Sequence, residues 1–258
     1  RRMCDAMTHR GPNDAGLWNG GHVGLAMRRL SIIDLFRGHQ PMISRDGTLV
    51  VVFNGEIYNF KQLREELENA GAEFHTTSDT EVILHAYDAW GDEALDRFNG
   101  MFAIGLYDTR RSRLLLARDR LGIKPLFYTV RDGVLAFASE LDALLRSDLV
   151  PGTLNPAALD AYFTFLYVPD PDTIFEGVHK LRPGEKLVVQ NGNVHTRRYW
   201  QLRYRPDESW TLDSAAERYR DLLADSIRLR RVSDVPIGAF LSGGVASSSV
   251  VGMLSDMS

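Results

Sequence analysis

The chain has 258 residues, of which 44% are hydrophobic and 25% charged, and its net charge is −4 at pH 7. These values are typical of a folded globular protein and offer no basic face for nucleic acid. No apolar run is long enough to cross a bilayer, so no membrane association is expected. The single cysteine, Cys4, excludes an intrachain disulfide and suits a reducing compartment such as the cytoplasm.

Short strand-like runs follow one another through the first half of the chain, with Gly, Asn and Asp between them. They cover residues 23–27, 49–53, 101–107, 114–117, 126–130 and 134–137. Several runs are apolar throughout, which indicates strands buried on both faces. Helical spacing begins at Phe60 and again at Val82, and Ser78 precedes the second helix in a capping-box arrangement with Glu81. This alternation predicts an α+β fold of two sheets with helices outside them.

The C-terminal part predicts a change of architecture. The turn at Asn191-Gly192 between runs 187–189 and 194–199 indicates a hairpin that closes a first domain. The polar stretch 203–209 is typical of a linker, and the apolar positions from Leu212 to Ile227 predict a long helix. A strand at 236–241, a Gly-Gly loop and a last helix would begin a second, α/β domain. We therefore expect domains at 1–202 and 210–258, the second of them incomplete.

One polar motif follows the predicted strand 49–53. Asn54 and Gly55 offer a side-chain amide and a bare backbone N–H, the two donors that would stabilise an oxyanion. The carboxylates of Glu56 and Asp79 can bind an ammonium group, and the planar guanidinium of Arg29 can bind a carboxylate through two N–H groups. Together these groups suit a free amino acid. Taken singly, Asp79 would be a carboxylate at a helix N-terminus, Asn54-Gly55 a turn, and Arg29 a partner in a surface ion pair.

A second polar motif lies near the far end of the chain. Ser242-Gly243-Gly244 stands between the predicted strand 236–241 and a short helical stretch. Successive backbone N–H groups in such a turn can face a phosphate, helped by the helix dipole. On its own, a turn of this kind is more often a tight connection between a strand and a helix.

The order and separation of these and other blocks resemble the asparagine synthetase family. The matching blocks are 9–14, 29–34, 40–41, 54–59, 78–81, 100–103, 117–122, 124–126, 139–140, 235–236 and the Ser-Gly-Gly loop. Members of this family are glutamine-dependent amidotransferases with an N-terminal glutaminase domain and a C-terminal ATP-using domain. The resemblance covers essentially the whole chain and implies a member truncated at both ends. It implies a four-layer αββα sandwich of the N-terminal-nucleophile hydrolase type, followed by the start of an α/β ATP-pyrophosphatase-like domain.

The resemblance also assigns roles to residues of both motifs. The positions that match the family's glutamine-binding residues are Arg29, Leu30, Ile32, Asn54, Gly55, Glu56 and Asp79, and Asn54 with Gly55 would form the oxyanion hole. The positions that match its ATP site are Phe240, Ser242, Gly243, Gly244, Ser247 and Ser248. Ala246 stands where the family has an Asp that helps to hold Mg²⁺, so no metal ligand is expected in this chain.

The family's nucleophile is a cysteine at the mature N-terminus, whose free amino group activates the thiol. That cysteine precedes the motif His9-Arg10-Gly11-Pro12 by a strand and a helix, whereas Cys4 lies directly before it in an amphipathic helical stretch. We therefore expect Cys4 to be a packing residue, the nucleophile to be absent, and this chain by itself to be inactive.

The implied function is glutamine-dependent asparagine synthesis, in which glutamine hydrolysis supplies ammonia to an adenylated aspartate. The full-length protein would use glutamine, aspartate, ATP and Mg²⁺, whereas the glutaminase domain would need no cofactor. A homodimer is compatible with this assignment, and nucleic acid and membranes are not expected as partners. Two alternatives stay open, namely an amidotransferase for another acceptor, such as an exopolysaccharide or antibiotic precursor, and a non-catalytic scaffold.

Four charged residues, Arg118, Asp119, Arg120 and Lys124, are expected to organise the domain interior rather than to contact substrate.

Overall fold

The computed structural model describes residues 1–257, which form two compact units, Arg1–Gln201 and a second that begins at Leu202. The strands, all in the first unit, are β1 (Asp14–Asn19), β2 (Gly24–Arg29), β3 (Met42–Ile43), β4 (Leu49–Ile57), β5 (Gly100–Asp108), β6 (Arg113–Arg118), β7 (Phe127–Arg131), β8 (Val134–Ala138), β9 (Val178–Lys180), β10 (Glu185–Gln190) and β11 (Asn193–Arg198). Its helices are α1 (Arg2–Ala6), α2 (Phe60–Asn69), α3 (Asp79–Trp90), α4 (Ala94–Arg97), α5 (Leu141–Leu145) and α6 (Pro156–Phe165), with a 3-10 turn at Gly91–Glu93. The second unit contains α7 (Leu212–Leu229) and α8 (Val245–Asp256).

The strands form three antiparallel sheets. The largest has six strands in the order β11-β10-β6-β5-β4-β3, and the two smaller ones are β1-β2 and β8-β7-β9. All five residues of β4 from Leu49 to Phe53 are buried, because hydrophobic side chains pack against both faces of this strand. The prediction of doubly buried strands is therefore confirmed for β4.

Alternating side chains show how the layers are stacked. Val52 and Leu116, on one face of the large sheet, share a core cluster with Leu25 of β2 and with Phe137 of β8. The neighbouring residue Ala138 faces the other way. There it packs with residues of α1 and α5 in a second cluster that includes Met3, Ala6, Ala143, Leu144 and Val178.

Helices cover the opposite face of the large sheet. Ile83 of α3 and Leu95 of α4 lie around a small apolar gap together with Ile104 of β5 and Leu115 of β6. The first unit therefore stacks helices, a sheet, smaller sheets and helices. The alternation of elements predicted two sheets between helices, and the structure has three, because the smaller sheets β1-β2 and β8-β7-β9 are separate.

Most predicted elements are present with shifted ends, but the strand expected at 236–241 is wrong. Those residues have no regular secondary structure. A strand is stabilised by hydrogen bonds to a neighbour, and no other strand lies in the described part of the chain after Leu202. The long helix and the last helix of this unit are confirmed as α7 and α8. None of the described helices is both long and apolar enough to cross a membrane.

Candidate functional site

A cavity of about 350 Å³ opens at the end of β4. This volume lies at the lower end of the range for small-molecule sites. Its lining comes from the end of β2 and the loop after it, from β4, and from the N-terminus of α3. All seven residues expected to bind a free amino acid are among those that line it, namely Arg29, Leu30, Ile32, Asn54, Gly55, Glu56 and Asp79. The structure thus brings together three segments that are far apart in the sequence.

The free edge of β4 carries the first donor of this cavity. The N–H of Phe53 donates to Oε1 of Gln40 at 2.7 Å, and the N–H of Ile57 donates to Oδ2 of Asp79 at 3.0 Å. Because backbone N–H groups alternate along a strand, the N–H of Gly55 points to the same edge, between these two bonds. Phe102, which lies opposite Gly55 on β5, donates its own N–H away from β4, to Asp119. The Gly55 N–H is therefore directed towards the cavity.

The absence of a side chain at Gly55 has a geometric cause. A Cβ at this position would lie 2.0 Å from the carbonyl oxygen of Met101 and 2.8 Å from Cα of Phe102. With φ at 157°, its backbone is also outside the range that other residues readily adopt. Only glycine allows β4 and β5 to approach so closely at the point where the Gly55 N–H faces the cavity.

Asn54 supplies a second donor beside Gly55. It shares a face of β4 with Val52, so its side chain projects towards the smaller sheets. Its Nδ2 donates to Oγ of Ser139, the residue after β8, at 3.3 Å. One N–H of the amide is thereby oriented, and the other stays available to a ligand.

Arg29 shapes the loop on one side of the cavity. It is only 7% exposed, and its Nη2 donates to the carbonyl oxygens of Ile33 at 2.7 Å and Asp34 at 2.8 Å. Burial lowers the pKa of Arg29, while nearby carboxylates including Asp79 act in the opposite direction. The guanidinium therefore has two roles, since it fixes the loop and also places positive charge in the cavity wall.

Asp79 is the first residue of α3 and is 5% exposed. Burial raises its pKa to about 6, although the N–H groups of Ile57 and Thr80 and the charge of Arg29 favour the ionised form. Ser78 caps the helix by accepting from the N–H of Thr80. A carboxylate with a pKa near neutrality, in a cavity that also contains a guanidinium, can discriminate a zwitterion from an uncharged ligand.

Several lining residues were not predicted. They include Met7, Arg10, Gln40, Thr80, Met101, Lys124 and Ser139. Lys124 was expected to organise the interior, and the structure adds that it lines the cavity, where burial and the neighbouring Arg10 lower the pKa of its ammonium group. The only sequence signal for Gln40 and Ser139 is that both lie in the blocks that carry the family resemblance.

The structural roles expected for Arg118 and Asp119 are confirmed. The carboxylate of Asp119 is fully buried and accepts from the N–H groups of Phe102, Leu121, Ile123 and Lys124. Arg118 donates to the carbonyl oxygens of Gly122, Lys124 and Leu181. Together the two side chains hold the loop that presents Lys124 to the cavity.

Cys4 is a packing residue, as predicted. Its side chain is 4% exposed and lies against β2, where Sγ is 3.5 Å from the carbonyl oxygen of Met27. Burial raises the pKa of the thiol, which reduces its nucleophilicity at neutral pH. Cys4 is not among the residues that line the cavity. The lining in the described part of the chain therefore includes backbone and side-chain hydrogen-bond donors but no thiol.

The second motif lies in the second unit, before α8. Gly243 has φ at 81° and Gly244 is the N-cap of α8, so the loop turns sharply into the helix. The hydroxyls of Ser242 and Ser247 are 2.9 Å apart, whereas Phe240 is fully exposed. Ser248 lies in the first turn of α8 and donates its N–H to the carbonyl of Gly244. The loop thus gathers hydroxyl and backbone groups in front of a helix N-terminus, without Phe240 packed against it.

Comparison with known proteins agrees with this division of the chain. Residues 1–200 match the family model of the glutamine amidotransferase domain, and residues 218–258 match that of asparagine synthase. The chain is 39% identical over 254 residues to asparagine synthetase [glutamine-hydrolyzing] 1 of Bacillus subtilis (strain 168), an alignment that covers 97% of this chain and 40% of that protein. It is 36% identical over 252 residues to asparagine synthetase [glutamine-hydrolyzing] 3 of the same organism, covering 96% of this chain and 41% of the relative.

The fold is also that of a solved enzyme. The allosteric regulatory enzyme of purine biosynthesis superposes with a TM-score of 0.52 at 18% identity, over 88% of this chain and 48% of the other. At this identity the similarity concerns the fold alone. The chain spans about two fifths of the length of the curated relatives it matches. Since the family model covers residues 1–200, this chain belongs to the glutamine amidotransferase domain family, among relatives that are glutamine-hydrolysing asparagine synthetases.

Proposed function

We propose that this chain provides the glutamine site of a glutamine-hydrolysing asparagine synthetase. The observation that carries this proposal is the convergence of the seven residues from Arg29 to Asp79 on one cavity. Five of them, namely Arg29, Asn54, Gly55, Glu56 and Asp79, carry groups that suit a free amino acid, and Leu30 and Ile32 match glutamine-binding positions of the family. The seven residues line a cavity of about 350 Å³, a volume that suits a small ligand, and they supply charges of both signs, as a zwitterion requires.

The lining groups match the parts of glutamine one by one. The carboxylates of Asp79 and Glu56 suit its ammonium group, and the guanidinium of Arg29 suits its α-carboxylate. The side-chain carbonyl oxygen would then lie between the N–H of Gly55 and the amide of Asn54. A nucleophile that attacks this carbonyl creates an oxyanion at the same point, and these two donors would stabilise it. Collapse of the oxyanion would break the C–N bond and release ammonia, and water would then release glutamate from the nucleophile.

The second unit would contribute part of the site where ammonia is consumed. Ser242, Gly243, Gly244, Ser247 and Ser248 suit the oxygens of an ATP phosphate, and Phe240 would approach the adenine. The side chain of Ala246 offers no oxygen to Mg²⁺, and no group of three or more His, Cys, Asp or Glu among the described residues could hold a metal ion. The loop as it stands would therefore hold phosphate oxygens rather than the ion.

The finer features of the whole protein are part of the same proposal. It would adenylate aspartate with ATP, act in the cytoplasm, and assemble as a homodimer. Static light scattering of the full-length protein tests the dimer, and ATP-dependent asparagine formation from glutamine and aspartate tests the acceptor.

A titration of the 258-residue chain with L-glutamine, followed by NMR, tests the glutamine site. We expect weak but saturable shifts of the amides of Gly55, Ile57 and Thr80, and no saturable shift with D-glutamine. The variant Asn54→Ala should weaken binding, whereas Asn69→Ala, at an exposed position in α2, should bind as the wild type does. Equal shifts with both enantiomers, or shifts confined to residues outside the cavity, would contradict the proposed site.

A further inference from the structure

Gln40 is buried beside the cavity and has no role in the function proposed above. It is 5% exposed and lies in the segment between β2 and β3. Its backbone is held tightly, because even a Cβ at Gly16 of β1 would come within 2.0 Å of the Gln40 carbonyl oxygen. A long polar side chain fixed in this way is expected to have specific hydrogen-bond partners.

Those partners join two walls of the cavity. Oε1 of Gln40 accepts from the N–H of Phe53 on β4 at 2.7 Å. Its Nε2 donates to Oγ1 of Thr80, in the first turn of α3, at 3.4 Å. Gln40 therefore links the strand that presents Gly55 to the helix that presents Asp79.

The sheet explains why such a link is needed. β3 pairs with β4 only at Val50 and Val51, so within residues 1–257 the edge of β4 has no neighbouring strand from Val52 onward. Along that edge, the side chain of Gln40 accepts a hydrogen bond from the N–H of Phe53, and the side chain of Asp79 accepts one from the N–H of Ile57. The N–H of Gly55 lies between the two. Its direction is thus set by two side chains that replace the missing strand.

We infer that Gln40 is a positioning residue, which aligns the Gly55 N–H with the oxyanion by holding the free edge of β4 through Phe53. This inference rests on the glutamine site proposed above. Removal of the Gln40 amide should leave the groups that bind the α-carboxylate and ammonium in place. It should therefore weaken binding of an oxyanion mimic more than binding of glutamine itself.

The test uses the 258-residue chain, its variant Gln40→Met, and two ligands. One ligand is L-glutamine, and the other is the phosphonate analogue of L-glutamate, in which a tetrahedral anion replaces the γ-carboxyl group. In Gln40→Met we expect the phosphonate dissociation constant to rise about tenfold or more and that of glutamine to change less than about threefold. Gln190→Met, on β10 and outside the cavity, is the matched control and should change neither constant.

Hydrogen exchange of the ligand-free chain gives an independent measurement. The Phe53 amide should exchange at least about tenfold faster in Gln40→Met than in wild type, because it loses its acceptor. Gln40→Glu keeps an oxygen at this position and should keep the protection of Phe53, which also provides a second variant if Gln40→Met does not fold.

The outcomes separate the two proposals. If wild type binds neither ligand, the glutamine site is wrong, and the inference falls with it. If wild type binds both ligands and Gln40→Met weakens them equally, or leaves the exchange of Phe53 unchanged, only the positioning role is overturned. Loss of Phe53 protection in Gln40→Glu would likewise overturn it, because the acceptor oxygen would not be the cause.

Discussion

At the scale of single residues, the ligand-binding role proposed for Asp79 conflicts with its contribution to stability. Its carboxyl group has a pKa of about 6, raised by burial from an ordinary 3.8. A carboxyl group with a raised pKa favours the folded state most below the ordinary value, and this contribution is lost as the pH rises through about 6. At neutral pH the folded chain therefore holds an ionised carboxylate at a cost in stability, and that charge is the one that an ammonium group requires.

The variant Asp79→Asn should separate these two effects. An asparagine oxygen can still accept from the N–H of Ile57, but the side chain cannot ionise. The difference between the unfolding midpoints of the variant and of wild type should therefore shift in favour of the variant as the pH rises from about 4 to about 7. The affinity of the variant for glutamine should be lower than that of wild type. Thermal unfolding of both proteins across this range is the measurement, and a difference independent of pH would contradict the assignment.

Gly55 is a second residue whose substitution is expected to change stability, because it has no room for a Cβ. In Gly55→Ala the new methyl group would meet the backbone of Met101 and Phe102, so we expect a loss of about 3 kcal/mol in the free energy of unfolding. Gly133→Ala is the matched control, because Gly133 also has positive φ but nothing lies within 4 Å of the added Cβ. It should cost only about 1 kcal/mol. Urea denaturation measures both values, and equal losses would show that the close approach of β4 and β5 is not the cause.

At the scale of elements, the loop between β6 and β7 depends on one buried carboxylate. Asp119 accepts four backbone N–H groups, including that of Lys124 beside the cavity. Asp119→Ala would leave these donors buried without an acceptor, so we expect a loss of about 4 kcal/mol. Asp142→Ala removes an exposed carboxylate that pairs with Arg146 across one turn of helix and should cost less than about 0.5 kcal/mol. Urea midpoints give the comparison, and similar values for the two variants would refute the role of Asp119.

At the scale of the whole molecule, the two units differ in how much they bury. The first unit contains all the residues of both core clusters. Among the described residues from Leu202 onward, only Ile227 is buried. The second unit thus has little buried apolar surface to oppose the conformational entropy of its chain.

We therefore expect amide hydrogens of α7 and α8 to exchange at least about a hundredfold faster than those of β4 and β5. Exchange followed by mass spectrometry measures this ratio. Brief trypsin treatment should cut first at Arg203, which is exposed and lies outside any regular element. Slow exchange throughout α7, or first cuts within the first unit, would contradict the expected difference.

Much of the first unit could be predicted from local pattern. Apolar runs located strands such as β4 and β5, and capping signals located the start of α3, because these features depend on residues close in sequence. Short elements such as β3 and β9 were missed, since two or three residues carry too little periodicity, and the longer β1 and α6 were not predicted either. The strand expected at 236–241 was wrong for another reason, because a strand needs a partner that residue pattern alone does not supply.

The sequence by itself predicted the kind of ligand, since a guanidinium, an amide, a bare N–H and two carboxylates, in that order, are groups that suit a free amino acid. Only the tertiary structure decided which other groups join them, as with Gln40 and Lys124. The physical reason is that a side chain's role depends on what packs around it. The amide of Gln40 is bound to the edge of β4 because β3 ends before it reaches Phe53, and Lys124 lies beside the cavity because Asp119 holds its loop.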